Sequence, residues 1–187
     1  WMYWPRFRKV TRLQADQRDD TVDGTDQIND DEIGYDGRIN KNTYKMLGRK
    51  KLLLCRHQNK EKFERIPGMV MISGLQRELS NLYVVEVKTN VPGYVYSKQI
   101  WYLDPETWVI NYKEMYDLQG RLWKFYENYQ SMIKGRPEQG TIPVQHGSTI
   151  VDLIRRHGSP GHEREVLCGT DIPLNQFSIR ALEKRAY

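Results

Sequence analysis

The middle of the chain alternates apolar and polar residues with the two-residue period of a half-buried strand. From Trp108 to Tyr116 the positions Trp108, Ile110, Tyr112, Glu114 and Tyr116 share one face, opposite Val109, Asn111, Lys113 and Met115. Arg121 to Gln130 repeats the pattern, with Trp123, Phe125 and Tyr129 on one side. Before them, Leu82 to Lys88 is a β-branched and aromatic run, and Tyr94 to Leu103 reads as a second strand. The breaks are turn sequences: Asn90-Val91-Pro92-Gly93, Asp104-Pro105-Glu106-Thr107 and Asp117-Leu118-Gln119-Gly120. Connections this short force neighbouring strands to pair antiparallel, so the pattern predicts a meander.

The flanks add further elements. Trp1–Tyr3 and Phe7–Leu13 predict a strand bent at Pro5, and Tyr44–Arg56 predicts one or two strands interrupted at Gly48. Residues 64–74, with Pro67, Gly68 and Gly74 around Met69-Val70-Met71-Ile72, read as loop with a short helix. Thr149–Arg156 reads as strand, and Ser178 caps a helix over Ile179–Arg185. The expectation is a mainly β chain, an antiparallel meander forming a curved sheet, with a short C-terminal helix. Apolar residues on both faces require that such a sheet be covered twice or curl around something.

At 187 residues, 39% of them hydrophobic and 28% charged, the chain has the size of one domain. No stretch approaches the roughly 20 apolar residues of a membrane-spanning helix, so no transmembrane segment is expected. A first residue of Trp rather than Met predicts a processed or partial chain, which leaves a signal peptide open. The aromatic set is 12 Tyr, 5 Trp and 4 Phe, which favours half-buried strands and wet-edged pockets.

The net charge of +5 hides a division. Residues 16–36 hold nine acids and one base, Arg18, which leaves 28 bases against 15 acids elsewhere. This acidic loop, placed at 14–40, is expected to be a solvated surface segment; the alternatives are that it folds back onto the basic body or meets a partner. The bases are scattered, no zinc-finger, helix-turn-helix or RNA-recognition pattern is present, and the loop would repel phosphate. No nucleic-acid partner is expected.

Candidate chemistry is sparse. Asp19, Thr21, Asp23, Gly24 and Asp30 fall in an EF-hand-like frame, but Thr replaces one carboxylate and Asp the bidentate Glu, so no metal is assigned. Asp104 and Asp117 sit at strand-ending turns, where an aspartate commonly bonds its own backbone. His57, His146, His157 and His162 lack metal-site spacing, His157 and His162 being only a weak ligand pair across a flexible loop. No nucleophile elbow, phosphate loop or dinucleotide fingerprint is found. Neither an enzymatic activity nor a cofactor is therefore assigned. Cys55 and Cys168 fit no zinc or redox motif; they read as two half-buried thiols or as one long-range disulfide, the latter only in an oxidising compartment.

Four segments carry a family resemblance. Trp4-Pro5-Arg6-Phe7-Arg8-Lys9-Val10-Thr11-Arg12 resembles the "W-x-x-P-x-x-R-R-V-R-R" strand of proteins similar to the lipoprotein carriers LolA and LolB, and more specifically of domain-of-unknown-function family thirteen-twenty-nine. Asp23 to Asp31 leading to Tyr44-Lys45-Met46-Leu47-Gly48-Arg49-Lys50 resembles that family's acidic loop and "Y-x-W-K-L-L-G-K" segment. Tyr102-Leu103-Asp104 to Trp108 and Tyr116-Asp117 to Trp123 resemble its "Y-L-D-x-x-x-W" and "Y-D-x-x-G-x-L-W" turns, and Phe177-Ser178 to Leu182 its closing helix. Met46 departs from an expected Trp, and Thr11 from an expected Arg.

The resemblance implies the C-terminal portion of a longer LolA/LolB-like periplasmic protein of Gram-negative bacteria. It also implies an antiparallel half-barrel around a hydrophobic cavity, working beside an outer-membrane barrel or an exporter of hydrophobic molecules. If the opening strands and covering helix are missing, sheet edges and an apolar face are left exposed. Together with the aromatic meander, this predicts a lipid or other hydrophobic ligand on a curved sheet, lined by Tyr96, Ile100, Trp108, Ile110, Tyr112, Trp123 and Phe125. The alternative is an assembly module, plugged by its own side chains, whose acidic loop docks a membrane-protein partner.

Overall fold

The computed structural model describes residues 1–4, 7–12, 18–22, 24–58, 64–70, 72–136, 138, 140–161 and 171–185. Within these, a seven-stranded antiparallel sheet dominates. Its strands are β3 (Asn42–Leu54), β6 (Glu78–Thr89), β7 (Lys98–Leu103), β8 (Ile110–Tyr116), β9 (Leu122–Lys134), β10 (Thr141–Asp152) and β11 (His157–Pro160). They lie side by side in the order β11-β10-β9-β8-β7-β6-β3, so every connection from β6 onward joins nearest neighbours. Two small hairpins accompany it: β1 (Met2–Trp4) with β2 (Lys9–Thr11), and β4 (Glu64–Arg65) with β5 (Ile72–Ser73). One short helix, α1 (Ile179–Arg185), follows Ser178, whose Oγ accepts the Ala181 amide at 3.2 Å.

The expected mainly β, antiparallel class with a short C-terminal helix is thus observed. The stretch at 64–74 forms a hairpin rather than loop and helix: Glu64 faces Ser73 and Arg65 faces Ile72. The one or two strands expected over Tyr44–Arg56 are a single strand, Asn42–Leu54, which passes through Gly48 without breaking. The bend expected at Pro5 falls outside the described residues, but its flanks pair with each other as β1 and β2.

Four bulges shape the large sheet. The register slips by one residue at Leu47 in β3, Asn111 in β8, Trp123 in β9 and His146 in β10. An extra residue on one strand bends it and strengthens its twist. The sheet accordingly curls. The chain leaving β3 reaches β9 across the end of the β7–β8 hairpin, with Cys55 bridged to Tyr129 in parallel. The Gln58 amide donates to the Gln130 carbonyl at 3.0 Å, and the Gln130 amide to the Cys55 carbonyl at 3.1 Å. The Tyr112 hydroxyl of β8 donates to the Leu53 carbonyl of β3, three strands away in the sheet order. The sheet does not close into a barrel, but its edge is fastened at this end.

The curl separates an inner from an outer face. Leu54, Leu82, Val84, Ile100, Tyr102 and Tyr112 form the inner core cluster. Cys55, Ile72 and Tyr129 pack where the edge meets β9. On the outer face Tyr94, Tyr96, Met115, Tyr126 and Ile150 pack under Ile28, a residue of the acidic segment.

Candidate functional site

The acidic segment is not the solvated loop that its composition predicts. It lies on the outer face, and four of its carboxylates, Asp26, Asp30, Asp31 and Asp36, are bonded within the chain, while Asp19 and Asp20 stay exposed. Asp31 is 1% exposed: its Oδ1 takes the Lys113 ammonium, and its Oδ2 accepts from the Tyr96 hydroxyl at 2.8 Å and the Ile28 amide at 3.2 Å. Asp30 accepts from Arg18 Nε at 2.6 Å and the Tyr94 hydroxyl at 2.8 Å. Asp26 accepts from Ser159 Oγ at 2.7 Å and lies 2.7 Å from His157 Nδ1, while its carbonyl takes the Lys124 ammonium at 2.6 Å. Burial pushes the Lys124 pKa below the ordinary lysine range. Lys113 and Lys124 come from alternate positions of β8 and β9, so the sheet presents two buried cations where the loop brings its acids. Asp30, the last position of the EF-hand-like frame to which no metal is assigned, is held by Arg18 and Tyr94, and Asp23 of that frame lies outside the described residues.

The inner face holds the other notable feature, a cavity of about 360 Å³. Leu52, Tyr102, Tyr112 and Phe125 supply its apolar and aromatic walls, and Leu53 bounds one side. Tyr112 stacks on Phe125 with ring centroids 5.6 Å apart and meets Tyr102 edge-on at 6.4 Å. Four charged side chains also line it: Lys50, Arg77, Glu114 and Glu127. Arg77 grips Glu127 with both terminal nitrogens, the second at 3.1 Å, and donates to the Tyr112 hydroxyl at 3.1 Å. This bonding to Glu127 raises the Arg77 pKa further. The Cys55 thiol lies 3.5 Å from Glu127, and burial beside that carboxylate pushes its pKa up to about 12. Such a thiol stays protonated and is a poor nucleophile. The question of a bond to Cys168 lies outside the described residues.

Three of the seven candidate ligand residues come together here. Tyr112 and Phe125 line the cavity, and Ile100 lies in the cluster beneath them. The other four are elsewhere, because bulges and a turn break the strict alternation. Trp108 precedes β8 at a left-handed φ of 60°, is 66% exposed and stacks on Tyr83. Ile110 is separated from Tyr112 by the bulge at Asn111 and faces Gly34 of the acidic segment. Trp123, itself a bulge residue, meets Tyr96 edge-on at 5.8 Å and donates to Asp152 at 2.8 Å, on the outer side. The polar lining was not anticipated. Glu114 alternates in register with Tyr112 and Tyr116, which is a usable signal; Arg77 precedes its strand and carries none.

Asp104 and Asp117 behave as turn residues. Asp117 Oδ1 accepts the Gln119 and Arg121 amides at 3.0 and 2.8 Å, and Asp104 Oδ1 accepts the Glu106 amide at 3.3 Å. Asp104 also pairs with Arg56 at 2.8 Å. His57 and His157 each meet carboxylates, and His162 lies outside the described residues. Among the described residues no group of three or more His, Cys, Asp or Glu is arranged to hold a metal ion, and no helix is long and apolar enough to cross a membrane.

A curled, unclosed antiparallel sheet with a cavity on its inner face is a recognisable architecture. The family described as Protein of unknown function (DUF1329) matches residues 1–164. The chain belongs to the DUF1329 family. Among solved structures, a DUF1329 protein from Desulfovibrio piger is similar with a TM-score of 0.62 at 17% identity, over 97% of this chain and 63% of that one. A domain assigned to outer membrane lipoprotein sorting, from Vibrio parahaemolyticus, gives 0.65 at 16% identity, over 98% of this chain and 65% of that one. A LolA superfamily protein from Nitrosomonas europaea gives 0.52 at 14%, over 92% and 64%. These likenesses show a LolA-like fold. This DUF1329 chain spans less than two thirds of the length of each of the three. No curated protein matches it.

Proposed function

We propose that this chain binds or carries a lipid or other hydrophobic ligand on the inner face of its sheet, without catalysis, as a periplasmic protein serving outer-membrane transport or lipoprotein sorting. The observation that carries the proposal is the cavity where Leu52, Tyr102, Tyr112 and Phe125 meet under the curl. Burying an alkyl chain against such walls gains about 0.8 kcal/mol per CH₂, so affinity needs few polar contacts. Preformed, largely apolar concavities with a few placed polar groups are the common form of small-molecule sites. A LolA-like fold in a family neighboured by a lipoprotein-sorting domain supports the same reading. The polar chemistry available at the site also fits binding better than reaction: Arg77 and Glu127 neutralise each other, and Cys55 is held protonated.

Purifying the full-length protein gently and extracting it with organic solvent for lipid mass spectrometry tests this. A stoichiometric lipid absent from an unrelated control is the expected result. A clean extract, unchanged after incubation with lipid vesicles and re-isolation, refutes it.

A further inference from the structure

We infer that the inner-face cavity selects an amphiphile with a zwitterionic head group, its ammonium end on Glu114 and its anionic end on Lys50. The inference rests on the ligand-carrying reading above and adds the class of head group.

Two of the four charged groups lining the cavity, Arg77 and Glu127, cancel one another. The other two remain. Among the described residues, neither Lys50 nor Glu114 takes part in an ion pair. Glu114 is nonetheless firmly held: its Oε1 accepts from the Tyr102 hydroxyl and its Oε2 from the Tyr116 hydroxyl, both at 2.7 Å. Burial, with the bond to Glu114, raises both phenols above the ordinary tyrosine range, Tyr116 to about 12, so both stay hydrogen-bond donors. Neutral donors fix a carboxylate in place without cancelling its charge. The rings of Tyr102, Tyr112 and Phe125 stand beside it, offering π faces and edges. A fixed anion next to aromatic faces is the chemistry that receives an ammonium group.

Lys50 completes the argument. Its Nζ lies 5.9 Å from the centroid of the Tyr102 ring, and the hydroxyl of that same ring holds Glu114. One ring is therefore flanked by a cation over its face and an anion at its tip. A purely cationic head would meet Lys50, and a purely anionic one would meet Glu114. A head carrying both signs satisfies both, with its chain against Leu52 and Phe125.

The test uses lysophosphatidylethanolamine, lysophosphatidylglycerol and a free fatty acid of equal chain length, each below its critical micelle concentration, titrated into the full chain by calorimetry. The zwitterionic lipid is expected to bind about tenfold more tightly than the phosphatidylglycerol analogue. Glu114→Gln and, separately, Tyr116→Phe should shrink that ratio toward one, with circular dichroism confirming that each variant folds. Equal affinities for the two phospholipids in the unmodified chain, or a ratio untouched by E114Q, overturn the head-group inference while leaving ligand carriage intact. Binding of none of the three amphiphiles overturns both.

Discussion

Lys113 of β8 and Asp31 of the acidic segment form an ion pair shut away from water, their side chains 0% and 1% exposed. Removing one partner of such a pair strands the other charge in a medium that solvates it badly, a loss of about 3–5 kcal/mol. Asp31→Ala should therefore lower the unfolding free energy by about that amount. The double variant Asp31→Ala/Lys113→Met should recover much of it, since no charge is left uncompensated. Urea denaturation measures both, and equal losses in the single and double variants would show that the pair is not the cause.

Gly34 closes the same segment over the sheet. Its φ is +88°, and a Cβ there would stand 3.2 Å from Ile110 Cβ. Gly34→Ala should cost about 1–2 kcal/mol for the left-handed conformation alone, plus the cost of the contact. Gly24, at +74° with open space around it, is the control for backbone strain without crowding. A thermal melt should place Gly34→Ala clearly below Gly24→Ala.

For ligand binding, Phe125 is the informative wall. Phe125→Ala removes a half-buried ring stacked on Tyr112 and should weaken a fluorescent fatty-acid probe by about 1.5–3 kcal/mol, some ten- to a hundredfold in Kd. Trp108→Ala, on an exposed side chain outside the cavity, should leave the titration where it was.

Alkaline pH should unfold the protein through groups the fold keeps protonated. Burial raises Cys55 from 9.0 to about 12 and Tyr116 from 10.0 to about 12, and raises Tyr94, Tyr96, Tyr102, Tyr112 and Tyr129 as well. The folded state thus binds more protons than the unfolded one, so this contribution is complete below about pH 9 and is lost as pH rises toward 12. Lys124, lowered by burial, works in the opposite sense below 10.5, but it is one group against seven. Urea midpoints should fall over this range, with the late fraction of tyrosine absorbance at 295 nm appearing together with unfolding. A midpoint that climbs between pH 9 and 12 contradicts the assignment.

The strands and their antiparallel order were legible because period-two alternation and Pro/Gly/Asp turns are local signals. The helix over Ile179–Arg185 was legible for the same reason. Bulges were not. One extra residue at Asn111 and another at Trp123 reverse the face on which their neighbours fall, which removed Ile110 and Trp123 from the cavity while leaving Tyr112 and Phe125 in it. The fate of the acidic segment was also hidden. Whether nine acids stay in water or fold back depends on cations about 80–100 residues away, since Lys113 is 82 positions from Asp31 and Lys124 is 98 from Asp26. Alternation does mark Lys113 and Lys124 as facing one side, but not that the acids cover that side.

The fastening of the edge to β9 sets an order of events for the folding chain. Connections of eight residues or fewer join β6 through β9, so those hairpins need little loop closure. Cys55 must find Tyr129, 74 positions later, so this contact carries a larger closure cost and follows the hairpins. Until it forms, β3 is joined to the sheet through β6 alone and the curl stays unfastened at its edge, the state in which the chain has most need of a chaperone.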